Sequence, residues 1–67
     1  MIDRNDGAPS GDVYFEFTSI GSAVRVAAIH GESGAEVVVM GPANASTADL
    51  QRLALAKLRA AMLRQHA

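Results

Sequence analysis

Two histidines, seven carboxylates and a few serines are the residues of this chain with reactive side chains, and their spacing decides what they can do. His30 falls where an alternating segment meets a turn, and His66 stands near the C-terminus. Neither has Asp, Glu or His neighbours at metal-ligand spacing, so both are expected to be solvent-exposed and no metal site follows. Glu16 and Glu36 fall on one side of the strands derived below, and paired carboxylates can relay protons. Arg25 lies between them, which makes a cross-strand charge cluster the simpler expectation. Ser33 and Ser46 stand at a turn and a helix start, where hydroxyls serve the backbone. The run Gly41-Pro42-Ala43-Asn44-Ala45-Ser46 leads into a helix N-terminus, a place able to hold an anion and so to sense one. It lacks the glycine spacing and lysine of a phosphate loop, and a plain connector explains it. No catalytic residue, cofactor or metal is expected, and the chain reads as a non-enzyme.

Composition narrows the class further. Sixty-seven residues make one domain. At this length, ordering costs of roughly 1.5 kcal/mol per residue nearly cancel burial at about 25 cal/mol per Å². Small chains supplement such a core with disulfides, a metal or a second subunit. Cysteine is absent, which removes disulfides and thiolate metal sites. No apolar run approaches the ~20 residues of a membrane span. The N-terminus is acidic and polar, unlike a signal peptide, so a cytoplasmic protein is expected. Charge is uneven: residues 1–40 hold six acids against two bases, hence −4. From residue 46 onward Asp49 stands against Arg52, Lys57, Arg59 and Arg64, hence +3. A chain polarised in this way can attract an anionic partner or another copy of itself.

Residues 1–11 mix Gly, Pro, polar and acidic residues without period, and are expected to be a disordered N-terminal tail. Residues 12–65 form the domain. Residues 12–19 alternate, with Val13, Phe15 and Phe17 on one face and Tyr14, Glu16 and Thr18 on the other, which predicts a strand. Residues 22–30 and 35–40 make two more, rich in β-branched residues. A two-residue loop at Ile20-Gly21 would set Phe17 opposite Val24, Phe15 opposite Val26 and Glu16 opposite Arg25. A four-residue loop over 31–34 sets Val26 against Val39 and Ala28 against Val37. Gly41-Pro42 should end the third strand. Residues 46–65 are helical, with Ser46 as N-cap and a stripe of Leu50, Leu53, Ala54, Leu58 and Ala61. The fold class is α+β: a three-stranded antiparallel sheet followed by one C-terminal helix across its Val13/Phe15/Phe17/Val24/Val26/Val37/Val39 face.

With one face covered, the other still presents apolar residues, and such patches mark interaction surfaces. The residues expected to mediate self-association are Tyr14, Ile29, Val38, Met40, Leu55, Met62 and Leu63. Strands 1 and 3 are free edges, and strand 3 holds no internal lysine or proline to discourage pairing. A homodimer is therefore expected, formed by joining edges, packing sheets or exchanging the helix. The hinges available for an exchanged element are Gly41–Ala45 and Ile20–Ser22.

The alternative is a nucleic-acid-binding module using Arg52, Lys57, Arg59 and Arg64. A β-β-β-α order with a basic helix superficially resembles the latter part of a double-stranded-RNA-binding domain. Thr47-Ala48-Asp49 stands where that family places lysines, and four dispersed bases make a weak phosphate footprint.

A second resemblance covers residues 12–63. Gly21-x-x-Val24-x-Val26-x-Ala28-Ile29, Ser33-Gly34-x-Glu36-Val37, Gly41-Pro42-x-x-Ala45 and Leu50-x-x-Leu53-Ala54-x-x-Lys57-Leu58 together resemble a family of short bacterial domains of unknown function. That resemblance implies a small stand-alone domain with no assigned activity. Its polar positions are Glu36 and Lys57, which could form an ion pair between sheet and helix or share a surface.

Overall fold

A computed structural model of the chain describes residues 11–66, with side chains through Arg64. Except for Gly11, the tail expected over residues 1–11 lies outside the described residues, as does the side chain of His66. The elements are β1 (Val13–Ile20), β2 (Ala23–His30), β3 (Glu36–Pro42) and α1 (Thr47–His66). The strands form one antiparallel sheet in the order β1-β2-β3.

The second hairpin has the register that its loop length predicts: Val26 opposes Val39, and Ala28 opposes Val37. Its turn closes with the His30 N–H donating to the Ala35 carbonyl at 2.8 Å and the Gly34 N–H to the His30 carbonyl at 2.8 Å. Gly34 takes φ +76°, a conformation that side chains resist.

The first hairpin differs from expectation. Gly21 and Ser22 form its turn, with Gly21 at φ +58°, and Ile20 pairs with Ala23. Phe17 therefore opposes Val26, Phe15 opposes Ala28, and Val13 opposes His30. Glu16 faces Ala27 and Arg25 faces Thr18, so the expected Glu16–Arg25 pair does not form across the ladder. The glycine's left-handed conformation moves the turn along by one residue. Each strand pairing shifts by two, which leaves every side chain on its expected face.

β3 also continues through Pro42, past its expected stop. The Ala43 N–H donates to the Ser22 carbonyl at 2.8 Å. In an antiparallel ladder that bond sets the odd positions of β3 toward β2. Pro42 accordingly turns its nitrogen to the free edge, where no donor is needed.

Helix α1 starts at Ser46, whose Oγ accepts the Asp49 N–H at 3.2 Å. This cap satisfies one of the orphan donors of the first turn. Asp49 also pairs with Arg52 one turn later. The helix runs back along β3, with Leu50 against Gly41 and Lys57 reaching Val38. A Cβ at Gly41 would lie 2.7 Å from Leu50 Cδ2, so glycine is what allows the helix to start this close to the sheet. The core joins Val26, Ala28 and Val39 to Leu50, Ala54 and Leu58, with Val24, Val37 and Met62 packed at its margin. Leu50, Ala54, Leu58 and Met62 form a single i, i+4 line. Burying a leucine such as Leu58 contributes about 1.5–3 kcal/mol.

Two expectations fail here. Leu53 was placed in the buried stripe but is 55% exposed. At 3.6 residues per turn it lies beyond Lys57, on the flank above the outer edge of β3. His30 was expected in solvent but is only 4% exposed. It continues Val24, Val26 and Ala28 on the helix face, at the end of the sheet toward which α1 runs. His30 Nδ1 lies 2.7 Å from Ser33 Oγ, and the Ser33 N–H approaches the same nitrogen at 3.4 Å. Ser33 Oγ in turn accepts the Ala35 N–H at 3.1 Å. Burial is tolerable because the ring is hydrogen-bonded.

Candidate interaction surface

Helix α1 rests mainly on β2 and β3, and from β1 only Val13 and Phe15 pack against the core it forms. The consequence is visible on both faces of the first strand. Tyr14 and Ile20 are 56% and 51% exposed on the helix-free face, and Phe17 is 44% exposed on the helix face. Phe17 was expected to be covered and is not: Val13 and Phe15 on the same face pack against the core, whereas Phe17, nearer the first hairpin, lies beyond it.

Among the described residues nothing pairs with the outer edge of β1 either. The Gly31 N–H donates to the Asp12 carbonyl at 2.9 Å, which sets the even positions of β1 toward β2. Val13, Phe15, Phe17 and Ser19 therefore direct their backbone N–H and C=O groups outward. No lysine or proline interrupts this strand.

The edge of β3 is partly obstructed by comparison. Pro42 offers no N–H, and Lys57 Nζ donates to the outward Val38 carbonyl at 3.0 Å. The expectation that β3 lacks protection therefore fails, since the protecting lysine comes from the helix rather than from the strand. Lys57 uses its ammonium on that carbonyl and does not pair with Glu36.

The seven residues expected to mediate self-association do not share one surface. Tyr14 and Met40 are exposed on the helix-free face, with Ile29 and Val38 half-buried beside them. Leu55 and Met62 are half-buried on the helix flank that overlooks β1, and Met62 packs on the core. Leu63 is exposed on the back of the helix. Phe17 and Ile20 belong to the uncovered region and were missed. Alternation placed Phe17 on the core face, and Ile20 was assigned to the turn.

The four bases of the nucleic-acid alternative also separate. By helical spacing Lys57 and Arg64 occupy one flank of α1, and Arg52 and Arg59 the other. Arg52 is engaged with Asp49, and Arg59 is half-buried, its Nε without an acceptor among the described residues.

A cleft of about 290 Å³ lies at the end of the sheet, lined by Gly11, Asp12, Tyr14, Gly31 and Glu32. The Tyr14 ring covers Gly31, where a Cβ would come within 2.9 Å of Cε2. Among the described residues its two carboxylates have no third ligand, and no group of three His, Asp or Glu residues able to hold a metal exists. No described helix is long and apolar enough to cross a membrane.

These features define a small α+β domain whose most distinctive surface is an unfinished strand. The chain belongs to a family described as a domain of unknown function, DUF6898, whose model matches residues 10–66. No curated protein and no solved structure matches the chain.

Proposed function

We propose that this protein is a cytoplasmic, non-enzymatic interaction module that works as a homodimer. The observation that carries this reading is β1, which leaves Tyr14, Phe17 and Ile20 exposed while its backbone edge stays open. A core of this size has little stability in reserve, and a second subunit is the remaining supplement for a chain without cysteine. Three of the polar side chains have structural tasks, which supports a role outside catalysis. Ser46 caps the helix, Ser33 ties the β2–β3 turn and Lys57 occupies one carbonyl of the β3 edge. In this reading the helix-free face, with Met40 and the half-buried Ile29 and Val38, is left available to a protein partner.

Thermal unfolding at several concentrations tests the proposal. A dimer whose assembly is coupled to folding shows a Tm that rises with protein concentration. A Tm unchanged between micromolar and millimolar protein would contradict it.

A further inference from the structure

Tyr14, Phe17 and Ile20 are spaced so that a second β1, laid antiparallel, pairs all three at once. We infer that two copies join edge to edge through β1, about a twofold axis passing between Phe17 and the partner's Phe17. The inference rests on the self-association proposed above and supplies its geometry.

The outward backbone groups of β1 sit at odd positions, so odd positions must face odd positions across the new ladder. Centred on Phe17, the pairing sets Phe17 against the partner's Phe17 and Tyr14 against the partner's Ile20. It also sets Glu16 against the partner's Thr18 and Phe15 against the partner's Ser19. Aromatic–aromatic and aromatic–β-branched pairs stabilise antiparallel strands, and all three exposed apolar residues obtain one.

The neighbouring registers are worse. Centring on Glu16 places that carboxylate opposite its own copy, and like charges directly opposed are destabilising. Centring on Phe15 sets Tyr14 against the partner's Glu16 and leaves Ile20 beyond the ladder. Centring on Thr18 sets Ile20 against the partner's Glu16 and strands Tyr14. The β3 edge competes less well, because Lys57 occupies its Val38 carbonyl and Pro42 offers no N–H.

In the favoured register, two three-stranded sheets become one of six, with both helices on the same side. The two Phe17 rings meet in the gap that α1 leaves above β1. Each outward N–H from Phe15 to Ser19 gains a carbonyl, which covers most of the open edge.

Single-cysteine variants test this directly, because the chain has no cysteine of its own. Opposed residues of an antiparallel pair lie within disulfide reach, whereas diagonal neighbours do not. Under mild oxidation Phe17→Cys should cross-link roughly tenfold or more faster than Glu16→Cys or Thr18→Cys, because fixed geometry raises effective concentration. Equal or faster linking by either of the other two overturns the register. A Phe17→Cys chain that stays unlinked while light scattering shows a dimer overturns edge pairing and leaves the dimer standing. A wild-type monomer overturns the underlying reading instead. Since losing the Phe17 ring can weaken folding or association, amide exchange of the wild type provides a second readout. Protection of the Phe15, Phe17 and Ser19 N–H groups supports the pairing, and free exchange at all three in a confirmed dimer overturns it.

Discussion

Lys57 Nζ donates a hydrogen bond to the Val38 carbonyl at 3.0 Å, across nineteen residues of sequence. That single contact makes the two edges of the sheet unequal. It occupies one outward carbonyl of β3 with a charge from the helix, whereas no described residue bonds the outward groups of β1. Lys57→Met keeps the aliphatic stem and removes the donor. The contact is exposed, so its loss should cost less than about 1 kcal/mol in denaturant unfolding. The larger expected effect is in assembly: sedimentation velocity should show species beyond the dimer as the second edge opens.

Leu58 and Leu53 test the orientation of the helix. Leu58 is fully buried, so Leu58→Ala should destabilise by about 2–5 kcal/mol. Leu53 is mostly exposed, so Leu53→Ala should stay within about 0.5 kcal/mol. Urea unfolding of the two variants gives the comparison, and equal losses would contradict the placement of α1.

Gly41→Ala should force Leu50 out of its seat, because the new Cβ would stand 2.7 Å from Cδ2. Leu50 is buried and has little room to yield, so a loss of about 1–3 kcal/mol is expected. The same unfolding measurement checks it. A neutral result would mean that the helix starts farther from β3.

Ser33→Ala removes the hydroxyl that bonds His30 Nδ1 and accepts the Ala35 N–H, and leaves the Ser33 N–H facing that nitrogen. A loss of about 1 kcal/mol is expected for the missing hydrogen bonds. It should appear as a lower urea midpoint at unchanged m-value.

Much of this fold is legible in the sequence because side-chain alternation fixes faces. It does not fix position along a strand. Phe17 opposite Val24 and Phe17 opposite Val26 satisfy the same pattern, and only the conformation of Gly21 separates them. The second hairpin had no such ambiguity, because Gly31 and Gly34 bracket its loop. His30 was legible in principle, since it extends the 24-26-28 alternation, but its place at a strand end suggested solvent. That Phe17 is left uncovered while Phe15 and Val13 are not was not legible. It depends on where the short connector after Pro42 drops the helix, and on close packing between Leu50 and Gly41.

The central claim is that β1 is completed by a second copy of the same chain. Sedimentation equilibrium of the wild-type protein at micromolar concentration tests it most directly. The account predicts a mass of about 14 kDa, twice the 7.0 kDa of one chain. A single species of 7.0 kDa throughout the concentration range would contradict it.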